Sequence, residues 1–200
     1  MQHRSRCSRC VFAAALACLL AAPAAAGAQD ASGRARAVSA TTRSLFGSET
    51  VALADTGALA AADDAREASS PSGSVPSLVS AATLHATTIG GDNQVASEAS
   101  VADLALTVAG VEIGADFVMS RARAMADGQT AGATDISGLD VNGIFIPVSG
   151  EPNQTIAIPG GRIVVNEQHA SAGGIVVNAL RVVVLGVADI VVASAAAGIQ

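Results

Sequence analysis

An all-β fold is predicted by three features of this sequence. Apolar and polar residues alternate with period two along much of the chain. Turn-forming pairs separate the alternating runs, and valine, alanine, glycine, serine and threonine dominate a composition without lysine, tryptophan or tyrosine. Small and β-branched residues suit closely packed sheets. The expected architecture is one domain of antiparallel hairpins, with a two-sheet sandwich as first choice and a solenoid-like β stack as second.

The chain opens with "MQHRSRCSRC", bearing Arg4, Arg6 and Arg9, followed by the apolar run "VFAAALACLLAAPAAA" and the small residues Ala26-Gly27-Ala28. A basic start, a short apolar middle and an A-x-A exit predict a secretory signal peptide over 1–28, cut before Gln29. Cys7, Cys10 and Cys18 all fall within it, so the processed chain is expected to be free of disulfides. Residues 29–44 read as a flexible start, and 45–200 as the all-β domain with a long loop near 60–77. Within that domain "LFGSETVALADTG" suggests an early strand, "ALAAADDAREASS" a helical turn or two, and "SSPSGSVPS" a loop.

The hairpins follow. "LVSAATLHATTIGGDNQVASEASV" reads as two strands around Gly90-Gly91-Asp92-Asn93. Leu104, Leu106 and Val108 alternate up to a turn at Ala109-Gly110; beyond it Val111, Ile113, Ala115, Phe117 and Met119 are expected to share a face. Asn142-Gly143 and Pro159-Gly160-Gly161 supply two more turns. The closing stretch, 173–199, is nearly all apolar. It contains Asn178, Arg181 and Asp189, each costly in lipid, and it is rich in valine and isoleucine. It therefore reads as a hairpin central in a sheet rather than a membrane helix. "VNALRVVVLG" also aligns with "VADLALTVAG", matching Val177 with Val101, Leu180 with Leu104 and Gly186 with Gly110.

The order "ADTGALA", "SLVSAATLHATT", "ASEASVADLALTV", "DISGLDVNG", "PNQTIAIPGGRIVVNEQ" and "VNALRVVVLGVADIVVASAAAGI" resembles the choice-of-anchor P family of exported bacterial proteins, over roughly 45–199. The resemblance implies a secreted or surface-displayed domain and brings no catalytic residues with it. Family members are tethered by C-terminal sorting signals. This chain closes at Gln200 without such a signal, so a periplasmic or released protein is expected.

Without the three leader arginines, eight arginines face seventeen carboxylates, a net charge of −9. Nucleic acid and anionic membranes are poor partners for such a surface. An envelope or extracellular protein or polysaccharide is the expected partner class, with no transmembrane segment in the processed chain. No G-x-S-x-G elbow occurs. Asn166, Glu167, Gln168 and His169 form the polar cluster that could rim a ligand or close a strand end by bonding loop backbone. On a strand, Glu167 and His169 share a face, so an acid/base or metal pair is the alternative. Asp92, Asp135 and Asp140 stand beside glycine turns and are the candidate calcium ligands; otherwise no cofactor is expected. The leading expectation is a non-enzymatic structural, adhesive or interaction domain. The alternatives are an envelope hydrolase or metal-dependent enzyme, and a carbohydrate or small-ligand binder.

Overall fold

The computed structural model describes residues 30–45 and 47–199, so the expected leader lies outside the described part. The strands are β1 (Ala31–Ser44), β2 (Gly47–Asp55), β3 (Ala65–Val75), β4 (Val79–Gly91), β5 (Gln94–Val108), β6 (Val111–Met125) and β7 (Thr130–Ser137). They continue with β8 (Asp140–Val141), β9 (Ile144–Phe145), β10 (Gln154–Ile158), β11 (Gly161–Ser171), β12 (Gly174–Val184) and β13 (Ala188–Ile199). One sheet has the order β10-β11-β12-β13-β1-β2, the other β3-β4-β5-β6-β8-β9 with β7 also on β6. They pack face to face, β13 crossing β5 and β6, as a two-layer sandwich rather than a coiled stack.

The expected turns sit where sequence chemistry puts them. Asp92-Asn93, Ala109-Gly110 and Asn142-Gly143 each have both residues at positive φ, the twist that joins antiparallel strands in two residues. Residues 173–199 form the β12–β13 hairpin in the middle of the first sheet, between β11 and β1. Among the described residues no helix is long and apolar enough to cross a membrane.

Three expectations about the N-terminal third are corrected. Residues 31–44 are not a flexible start but β1, held between β13 and β2. Ala35, Ala37, Val38 and Ala40 are fully buried there, because small side chains let the two sheets approach. The loop near 60–77 shrinks to the connection 56–64, since the serine-rich 65–75 is edge strand β3 paired along β4. Register against β4 overrides its weak intrinsic β preference. Its Pro71 is tolerated because an edge strand leaves one side unbonded. The helical turn expected within 58–70 is a bend instead. Asp64 ties it off, accepting from Ala60 N (2.8 Å) and Arg66 Nε (2.7 Å).

A crease crosses the first sheet. The ladders pair Val165 with Leu180 and Glu167 with Asn178, Leu180 with Val192 and Asn178 with Ser194. They then pair Val38 with Val192 and Arg36 with Ser194, and Val38 with Leu53 and Arg36 with Asp55. Each ladder thus steps over one row: Asn166, Ala179, Ala193, Ala37, Ala54. Asn166 (φ 53), Ala193 (φ 51) and Ala54 (φ 46) have left-handed backbone. Across this row the inward face changes parity, from Ile190 and Val192 to Ala195 and Ala197 in β13, and from Val177 to Leu180 in β12. The second sheet does the same at Thr83 (φ 46) and Asp103 (φ 48), with register shifts around Ala82. This corrects the face expected in β6. Val111, Ile113 and Ala115 point inward, but Val118, Ala122 and Ala124 take over beyond the crease; Phe117 and Met119 leave the core face, Met119 being buried where its sulfur accepts from Arg121 Nη2 at 3.5 Å. The core divides accordingly. A large cluster contains Leu84, Leu104, Leu106, Ile113, Leu180 and Ile190, and a smaller one contains Val95, Ala124, Ile175, Val177 and Ile199. Near the smaller cluster the sheets are clamped by Thr88 Oγ1, 2.7 Å from Ser97 Oγ, which donates to Ala196 O at 2.6 Å.

Candidate functional site

Two surfaces gather side chains that could meet a ligand. The first is a polar network on the outer face of the β11-β12-β13-β1 sheet. Ladder pairing aligns Glu167, Asn178, Ser194 and Arg36 across four strands. Ser194 Oγ donates to Asn178 Oδ1 at 2.7 Å, and Asn178 Nδ2 donates to Glu167 Oε2 at 2.6 Å. Arg181 Nη1 reaches Glu167 Oε1 at 2.9 Å, while its Nε and Nη2 grip Asp189 at 2.9 and 2.7 Å. Glu167 is 7% exposed. Burial by itself pushes its carboxyl up, but the Asn178 and Arg181 hydrogen bonds, the Arg181 charge and the His169 contact outweigh that and hold it below the usual range. Arg181 is correspondingly raised by Asp189 and Glu167. Further along the face Arg34 and Arg36 both bind Asp55, whose carboxyl lies well below the usual range, the Arg34 hydrogen bond being the largest cause.

The sequence-expected cluster splits across β11. Glu167 and His169 do share the outer face, His169 Nε2 lying 3.4 Å from Glu167 Oε1, on an open sheet surface where the His169 side chain is 64% exposed. Asn166 and Gln168 turn the other way. Asn166 Nδ2 donates to Gly150 O (2.9 Å) and Gln168 Nε2 to Asn166 Oδ1 (2.8 Å). Asn153 joins them, its Oδ1 accepting from Gln168 N at 3.1 Å. The three polar side chains thereby tie the 149–153 loop to β11, as backbone-bonding amides at a strand end do. Glu167 has both oxygens occupied by donors and is held ionised, which makes it a weak proton acceptor.

The candidate calcium ligands are dispersed. Asp92 is in the β4–β5 turn, Asp135 on β7, and Asp140 on β8, where its Oδ1 accepts from Gly143 N at 3.0 Å. No three His, Cys, Asp or Glu side chains among the described residues gather into a group that could hold a metal ion. His85 Nδ1 lies 3.8 Å from Glu67 Oε1 across the outer face of the other sheet.

That sheet carries the second surface, an open groove of about 470 Å³ over β4, β5, β6 and β7. One cross-strand row is Ile89, Ala96, Arg123 and Ala131; the next is Thr87, Glu98, Arg121 and Ala133. Alanines make the floor shallow and apolar. Arg121 Nε binds Glu98 at 2.6 Å, whereas Arg123 is exposed and has no ion-pair partner among the described residues. The chain matches no family model, no curated protein and no solved structure. The groove is absent from the sequence expectations. Its one legible trace is the alternation Met119-x-Arg121-x-Arg123-x-Met125, which marks an outward face bearing two guanidiniums.

Proposed function

We propose that this chain is an exported, non-catalytic interaction domain of the bacterial envelope or exterior, and that the β4-β5-β6-β7 face is its contact surface. The observation carrying this reading is the groove: an alanine floor with Ile89 and Met125 beside it. A concave apolar surface with few polar groups is the common form of a binding site. The polar network on the opposite sheet supports the same reading. Its acids and arginines satisfy one another, so it stiffens the sheet and presents few free hydrogen-bonding groups. The resemblance to exported domains and the basic, apolar, A-x-A start of the chain agree with work outside the cytoplasm.

The test is retention of envelope components by the immobilised processed chain, with and without calcium. Ile89→Asp and Ala96→Arg should each lower retention about tenfold, as loss of a contact-surface anchor does. Glu167→Gln and His169→Ala should leave it unchanged. Retention indifferent to the groove changes but lost with His169→Ala would move the function to the opposite face and sink the proposal. N-terminal sequencing of the exported product should begin at Gln29.

A further inference from the structure

We propose that β7 is a dimerisation edge, pairing antiparallel with β7 of a second copy about a two-fold axis at Ala133. The inference goes beyond the function proposed above and does not depend on what the groove binds. β7 pairs β6 along one side and no strand on the other among the described residues. Gln129 O accepts from Met125 N, and Gly132 O accepts from Gln168 Nε2 in the opposite sheet, so the peptide groups of Gly132 and Thr134 point away from β6. That leaves outward the N–H groups of Gly132 and Thr134, the Thr134 carbonyl and the second lone pair of the Gly132 carbonyl that Gln168 already bonds. The other edges are blunted. Pro71 interrupts β3, β9 is two residues long and runs into Pro147, β10 is five residues long and stops at Pro159, and β2 carries two carboxylates, Glu49 and Asp55, and is bent by the left-handed Ala54. β7 has no proline and no lysine, only small residues, Ile136 and one charge, Asp135.

That charge selects the occupant. Asp135 and Arg123 are both exposed on the outer face, and neither has an ion-pair partner among the described residues. The ladder places Arg123 beside Ala131 and Asp135 beside Met119. Pairing two copies about Ala133 sets Gly132 opposite Thr134 of the second copy, which engages the outward peptide groups of both. The same register sets Ala131 opposite Asp135. Arg123 of one copy then lies two strands, about 10 Å of backbone, from Asp135 of the other. The two side chains close that span over the methyl of Ala131, and symmetry makes the ion pair twice. Registers two residues either way put Ser137 or Ala133 opposite Ala131 and lose both pairs. Dimerisation also joins the two seven-stranded sheets edge to edge, laying the two grooves side by side.

Sedimentation of the processed chain should show a concentration-dependent dimer. Arg123→Asp and Asp135→Arg should each weaken it about tenfold, since each breaks two symmetric pairs and sets like charges together, and the combined reversal should restore it. Thr134→Pro should abolish it by removing an edge donor. An Ala133→Cys variant should form an intermolecular disulfide under mild oxidation, because the axis sets the two β-carbons close enough to bridge and the processed chain has no other cysteine. Far-UV circular dichroism checks that each variant keeps its strands. A monomer at every concentration up to about 1 mM, the weak end of specific association, or a dimer that Thr134→Pro and both single reversals leave unchanged, overturns the proposal.

Discussion

Glu167 shows how one buried charge is held on an open sheet face. Asn178, Arg181 and His169 converge on its two oxygens, and Asp189 takes the rest of the Arg181 guanidinium. Glu167→Ala should cost about 2–3 kcal/mol in denaturant unfolding, since it leaves the Asn178 amide without its acceptor and Arg181 with half its partners. Glu167→Gln, which keeps the shape and an acceptor oxygen, should cost less. An Ala variant as stable as the parent would show the network to be ornamental. The polar run Asn166 to His169 was visible in the sequence, and so was the shared face of Glu167 and His169. Their partners were not. Asn178 and Arg181 are more than ten positions away, and only the β11–β12 register brings them to Glu167.

Among the elements, the hairpins and their turns were the most legible, because Asn-Gly, Ala-Gly and Pro-Gly pairs act locally. Strands β1, β3 and β7 were the least. Their alanine, serine and glycine content gives a weak local signal, and they are ordered by long-range pairing with β13, β4 and β6. The crease lay between these extremes. Val101 to Leu104 and Val177 to Leu180 are three apart inside otherwise period-two runs, and that spacing marks where a strand changes face. Plain period-two alternation carries Phe117 and Met119 onto the inward face because nothing in their residue types marks the same step in β6, Ala115 to Val118. Deleting Ala193 should therefore be far worse than losing one methyl. It would remove the step from β13 while β1 and β12 keep theirs at Ala37 and Ala179, so Ser194 could no longer pair in register with Asn178 and Arg36. The deletion variant should lack the parent's cooperative thermal transition, whereas one added residue in the 126–129 turn should leave stability within about 1 kcal/mol. An Ala193 deletion that folds as cooperatively as the parent would contradict the need for a matched row across the strands.

For the whole molecule, an excess of acids meets arginines placed to use them. Asp55, Asp64 and Glu167 all sit below their ordinary values in the fold. A lowered carboxyl contributes stability that is complete above its unfolded value and is lost as pH falls toward its folded one. Those unfolded values are near 3.8 for aspartate and 4.5 for glutamate. The thermal midpoint should thus be level from neutral pH down to about 5 and fall steadily below about 4.5. Asp55→Asn, which releases Arg34 and Arg36, should lower the plateau and shallow the acid limb. A midpoint that rises on acidification would reverse the sign assigned to all three groups.

The row Asn166, Ala179, Ala193, Ala37 and Ala54 also bears on how such a chain can change over time. Any strand that gains or loses a residue at this row falls out of step with neighbours that have not. Descendants of this sequence can therefore vary freely in the lengths of their turns, while the interiors of β1, β2, β11, β12 and β13 keep a common count that no lineage alters one strand at a time.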